Sequence, residues 1–81
     1  MNKEDRIRDF IVTRLNWRGN PADLTSDYPL IERGVLDSLG IFETISFLEE
    51  SFAIQIDDDA LIPDNFASIG SIAQLVERNS A

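Results

Sequence analysis

Apolar residues recur at helical spacing in three separate stretches of this 81-residue chain, with breakers between them, and no other feature constrains the fold as much. The first stretch, roughly Lys3 to Trp17, sets Ile7, Phe10, Ile11, Arg14 and Leu15 at that spacing, with only Arg14 polar. It reads as an amphipathic helix that Arg18-Gly19-Asn20-Pro21 ends. The second opens at Ser38, marked by the cap types Asp37 and Ser38, and runs to about Phe52. Its expected core stripe is Ile41, Phe42, Ile45, Leu48 and Phe52, while Leu39, Glu43, Ser46 and Glu50 form a separate, mostly polar line toward solvent. The third is capped by Ser68 and carries Ile69, Ile72, Ala73, Leu75 and Val76 to about Arg78. Ahead of it, a short helical turn is expected over residues 63–67, since Pro63 is tolerated in a first turn. Ala53-Ile54-Gln55-Ile56 is too short and isolated for a sheet strand. The pattern predicts one all-α domain over residues 1–81: a small antiparallel bundle of three main helices and one short one.

The chain has neither cysteine nor histidine. Disulfides, thiolate chemistry, a Ser-His-Asp triad and a His-ligated zinc site are therefore excluded from this chain alone. Net charge is 7 − 15 = −8, unevenly spread. From Gly34 to Glu77 there is no Lys or Arg, against Asp37, Glu43, Glu49, Glu50, Asp57, Asp58, Asp59, Asp64 and Glu77. That surface repels a phosphate backbone, so nucleic acid is disfavoured, and it steers basic protein surfaces. Plain solubility is the bland alternative. No apolar run is long enough to cross a bilayer, and the N-terminus lacks the apolar core of a signal peptide, so a soluble cytoplasmic protein is expected.

Between the first two helices lies a long loop containing Pro21, Pro29 and Gly34, expected to be pinned by Leu24, Tyr28, Leu30, Ile31, Val35 and Leu36. Long ordered loops tend to be functional. This one delivers Asp37 and Ser38 to the start of a helix, where free N–H groups and the helix dipole favour a bound anion. A phosphodiester on Ser38 suits that position, with the Asp37 carboxylate beside it. An arbitrary Asp-Ser before an apolar run is most often only a helix cap. The triple Asp at 57–59 does not complete a calcium loop, because the sixth position from Asp57 is Ile62 and the twelfth is Ser68, where glycine and glutamate are required.

The run Gly34-Val35-Leu36-Asp37-Ser38-Leu39 resembles the attachment site of the acyl carrier and peptidyl carrier protein family. The likeness extends through Glu49-Glu50-Ser51-Phe52 to Ile54 and Ile56. It implies that Ser38 carries 4′-phosphopantetheine, transferred from coenzyme A by a magnesium-dependent phosphopantetheinyl transferase. Cargo would then be held as a thioester and presented to partner enzymes, namely a loading ligase or acyltransferase and downstream enzymes with basic docking surfaces. The protein would be a carrier rather than an enzyme. Leu39, Glu43, Ser46 and Glu50 lie beside the arm and are the expected recognition residues, with Phe47 as a further contact or else buried against the loop or last helix. Ile62-Pro63-Asp64-Asn65-Phe66-Ala67-Ser68-Ile69 is similar to the corresponding segment of peptidyl, aminoacyl and D-alanyl carriers, which hints at an amino acid or a specialised acyl group as cargo. Asp64 stands where many of those relatives have Glu, and Gly40 is expected to loosen the first turn of the second helix.

The competing reading is an acidic helical interaction module without a prosthetic group; a serine hydrolase is disfavoured by the missing histidine. Domain size leads us to expect a free-standing protein, and a monomer is the expectation for a carrier that must visit several partners. The loop before Ser38 and the short third helix, having the weakest pattern, are both expected to be the least stable parts.

Overall fold

The structure, a computed structural model, describes residues 2–15 and 17–79. Three α-helices form the bundle: α1 (Lys3–Arg14), α2 (Ser38–Phe52) and α3 (Ile69–Asn79). Short 3-10 turns lie at Pro21–Asp23, Asp58–Ala60 and Pro63–Phe66, and no strand is present among the described residues. The expected short helix is thus the last of these turns. α1 stops at Arg14, short of the anticipated Trp17, and Asn16 lies outside the described residues. Trp17 serves the turn instead. Its indole N–H donates to the Asn20 carbonyl at 3.1 Å, its ring packs on Gly19, and Tyr28 meets it edge-on with centroids 5.3 Å apart.

Caps fix the helix starts. The Asn2 side chain accepts from the Asp5 amide, and Ser68 Oγ accepts from the Ser71 amide at 3.1 Å. α3 begins at Ile69 and extends one residue beyond Arg78, where the Asn79 side chain donates to the Leu75 carbonyl. The core joins Ile7, Phe10 and Ile11 of α1 to Leu48 of α2 and to Ile69, Ile72, Leu75 and Val76 of α3. Leu24, Leu30, Leu36 and Phe66 of the connections complete it.

α2 buries most of its expected stripe, Leu48 fully and Ile41, Ile45 and Phe52 in part, and adds a line of small residues to it. The buried line is Gly40, Thr44 and Leu48. Phe42, expected in the core, is 63% exposed. Two small residues let the rest of the bundle approach closely, and the Thr44 hydroxyl, fully buried, donates to the Gly40 carbonyl at 2.7 Å. Gly40 does not loosen this turn: a Cβ there would sit 3.3 Å from both Asp37 Oδ1 and Leu36 Cδ2. Phe47 is half-buried against α1. It stacks on Phe10 of α1, centroids 4.4 Å apart, and meets Phe52 edge-on.

The loop into α2 is bolted to its surroundings by main-chain bonds. Leu30 N–H donates to the Ala67 carbonyl at 2.8 Å, and the Leu30 carbonyl accepts from both Val35 and Leu36. Gly70 N–H donates to the Ser26 carbonyl at 2.8 Å. From the other side, Arg8 of α1 donates to the Leu24 carbonyl at 2.7 Å, and Ser26 is hydrogen-bonded to Glu4.

Candidate functional site

The site is built where this loop meets α2. Gly34 turns the chain with φ of +77°, a conformation natural to glycine, and nothing would crowd a side chain there, so the backbone angle alone sets the requirement. Two residues on, Leu36 is buried and anchors the end of the loop. Asp37 then caps α2: its Oδ1 accepts from the Gly40 amide at 2.8 Å, and its carbonyl accepts from Ile41 at 2.8 Å.

Ser38 is the first residue of α2 and is exposed. Its hydroxyl enters no hydrogen bond among the described residues, and the amides of Ser38 and Leu39 likewise have no partner there. With Gly40 already held by Asp37, two N–H groups at the positive end of a 15-residue helix remain for an anion at this position. The residues therefore fit a phosphodiester on Ser38. The chain has a free hydroxyl to esterify, nothing packed over it, and donors for the phosphate oxygens.

Leu39, Glu43, Ser46 and Glu50 are all exposed and follow one ridge down α2 from the serine, Leu39 being 73% exposed. Glu49, off that ridge, accepts from the Ile56 amide at 3.0 Å and holds the segment that leaves the helix. Two residues near the site were not read as surface groups in the sequence. Phe42 stands one turn below Ser38 on its own side of the helix. Arg14, at the end of α1, borders the hollow that also touches Asp37, Leu39 and Glu43. For Phe42 no local signal existed, because an Ile-Phe pair reads as core. For Arg14 the signal was its polarity within an otherwise apolar stripe. Among the described residues no three acids cluster to hold a metal, and the exposed Asp57, Asp58 and Asp59 are the cap and first residues of the 3-10 turn Asp58–Ala60.

The fold and site define a carrier-type domain, and comparison with known proteins specifies it. The chain is 35% identical to the "Probable acyl carrier protein PigG" of a Serratia species over 96% of its own length and 88% of that protein's. It is 31% identical to the acyl carrier protein of Wolinella succinogenes, covering 93% of each. The solution structure of a holo acyl carrier protein from Nitrosomonas europaea superposes with a TM-score of 0.80 at 30% identity, over 96% of this chain and 95% of that one. A chain in a crystal structure described as an FAD-dependent dehydrogenase superposes with a TM-score of 0.76 at 27% identity, over 86% of this chain and 97% of that one. No family model matches the sequence. The chain belongs to the acyl carrier protein family. It is a carrier and not a catalyst; its prosthetic group is covalent 4′-phosphopantetheine, and it serves partner enzymes of biosynthesis. No helix among the described residues is long and apolar enough to cross a membrane.

Proposed function

We propose that Ser38 is the residue that bears the phosphopantetheine arm, with Asp37 beside it as cap and carboxylate. The observation that carries this reading is the Ser38 hydroxyl itself, exposed and unbonded at the first position of α2 with two free amides around it. In the loading step Ser38 Oγ bonds to the β-phosphorus of coenzyme A as the bond to adenosine 3′,5′-bisphosphate breaks, and the hydroxyl proton passes to a base of the transferase. Once in place, the arm offers a terminal thiol that holds an acyl group as a thioester. The protein then acts by tethering, which raises the concentration of cargo at each partner's site.

Partners are a phosphopantetheinyl transferase, a loading ligase or acyltransferase, and enzymes that consume the cargo. They dock on the ridge of Leu39, Glu43, Ser46 and Glu50, the leucine giving an apolar contact and the carboxylates meeting basic side chains. A flavin-dependent oxidation of tethered cargo is proposed as one such consuming step, a reading supported by the similar chain in the dehydrogenase structure. The exchange belongs in the cytoplasm, where coenzyme A supplies the arm.

The test is intact mass after incubation of the apo protein with coenzyme A, magnesium and a promiscuous transferase, followed by peptide mapping. One phosphopantetheine on Ser38 is expected, and none on Ser38→Ala, which should keep wild-type helix content because the hydroxyl makes no bond. Labelling of another serine would overturn the assignment. An unchanged mass, with the transferase active on a control carrier, would favour the interaction module.

A further inference from the structure

α1 and α2 do not close on each other along the exposed side of the Phe10–Phe47 stack. A hollow of roughly 330 Å³ beside the attachment point touches Arg14, Gly34, Asp37, Leu39 and Glu43. A second of roughly 380 Å³ runs down the same side and is lined by Phe10, Arg14, Glu43, Ser46, Phe47 and Glu50. Arg14 and Glu43 border both, so the two form one groove.

The chemistry of this groove is specific. Arg14 makes no ion pair or hydrogen bond among the described residues, whereas the other cations of α1 are engaged. Lys3 pairs with Glu77, Arg6 lies over the Phe52 ring and donates to the Ser51 carbonyl, and Arg8 pairs with Asp5. Glu43 and Glu50 are two turns apart on one line and are likewise unpaired. The groove thus offers a donor for carbonyl oxygens near its mouth, two carboxylates along its wall and an aromatic pair on its floor. A long alkyl chain would have to cover that charge. An amino acid with an apolar side chain and a free ammonium matches each part.

We infer that this groove receives the aminoacyl end of the arm on Ser38. The ammonium lies between Glu43 and Glu50, the side chain rests on Phe10 and Phe47, and Arg14 faces the carbonyls of the arm. Ser38 stands about 100° round the helix from Leu39, on the side away from α1, so the arm crosses the Leu39 ridge. From Ser38 the midpoint between Glu43 and Glu50 lies about 13 Å along α2 and about 130° round it, so the arm must run obliquely across the helix to reach it. Because Glu43 and Glu50 also meet the partner's basic residues, docking displaces the ammonium and releases the cargo to the enzyme.

The inference rests on the assignment of Ser38, and the experiment separates the two. The apo protein is loaded by the transferase from coenzyme A, leucyl-coenzyme A, N-acetyl-leucyl-coenzyme A or octanoyl-coenzyme A, and intact mass is read first. Failure to gain mass at Ser38 refutes the attachment site. With mass gained, amide and aromatic shifts of each loaded form are compared with the plain holo form. The leucyl form should shift Arg14, Glu43, Glu50 and the Phe10 and Phe47 rings. Acetylation of the amine, which leaves every residue of the docking ridge unchanged, should remove more than half of that shift. Equal shifts with and without the free amine, shifts confined to Phe42, Leu61 and Ile62, or no shift beyond the holo form would each overturn the groove as the cargo site.

Discussion

The connection that leads into α2 and the one that leaves it are both irregular, but main-chain bonds fasten the first to the bundle and side chains hold the second. Before α2, Leu30 N–H reaches the Ala67 carbonyl, its own carbonyl takes two amides, and the Ser26 carbonyl takes Gly70. Three leucines of that loop, Leu24, Leu30 and Leu36, are buried. After α2, the main-chain bonds of residues 53–66 are local to its two turns, at Ala60, Leu61 and Asn65. What ties it back is the Glu49 carboxylate on Ile56, the partly buried Ile54, Ile56 and Ala60 against the core, the core residue Phe66, and Asn65, which donates to Ala60 and accepts from Arg78. Leu61 and Ile62 are left at 39% and 48% exposure. The difference in fastening predicts a rigid approach to the serine and a softer departure.

The widest break in that comparison should come from core truncation. Leu30→Ala removes a fully buried side chain at the residue where the loop's hydrogen bonds converge, and it should cost about 2–5 kcal/mol in denaturant unfolding. Ile62→Ala, on the other connection, should stay within about 0.5 kcal/mol. Similar losses from the two changes would mean that the connections are equally structural.

Amide exchange sharpens the same contrast without mutation. Leu30, Val35, Leu36 and Gly70 should exchange slowly, with the stable helices, while amides of residues 53–62 other than Ile56 should exchange through local opening. Slow exchange at Leu30, Val35 and Leu36 would overturn the expectation, drawn from its weak pattern, that the loop before Ser38 is among the least stable parts; its link to Ala67 and the one from Gly70 run to residues distant in sequence. Ala67 and Ser26 give no local sign of the amides they accept. By contrast the start of α2 was legible, since a cap is a short-range device: Asp37, Ser38 and the amide three residues on are all within one turn. The burial of α2 was legible in part: Ile41, Ile45, Leu48 and Phe52 do pack on the core, but Phe42 does not, and the buried Gly40 and Thr44 escaped because smallness matters only once a neighbour approaches. The ridge of Leu39, Glu43, Ser46 and Glu50 was readable as a solvent line, but the Arg14 groove beside it needed the antiparallel pairing of α1 and α2.

Gly70→Ala probes the bolt itself. The added Cβ would lie 3.2 Å from the Ser26 carbonyl oxygen, which is backbone held by the Gly70 amide and has little room to give. Alanine favours a helix, but this position is in the first turn, where that preference counts least. A net loss of about 1 kcal/mol is expected, with faster exchange at Leu30. A gain in stability would show that the loop shifts freely and that the bolt is not rigid.

The smallest effect tests the soft side. Ala53 ends α2 in the left-handed region, φ 53° and ψ 46°, the conformation for which a helix terminus ordinarily uses glycine. A non-glycine residue there is strained by roughly 1–2 kcal/mol, and glycine removes that strain while adding freedom to the unfolded chain. Ala53 is exposed, so nothing is lost from packing. Ala53→Gly should therefore stabilise the protein by about 0.5–1 kcal/mol, read as a small rise in the unfolding midpoint. Since the strain sits at the junction of α2 with the soft connection, its relief should leave exchange at Leu30 and Leu36 unchanged and slow exchange only in the last turn of α2. Slower exchange in the loop before Ser38 as well would show that the two connections communicate through the helix, and the division between a rigid approach and a soft departure would then have to be abandoned.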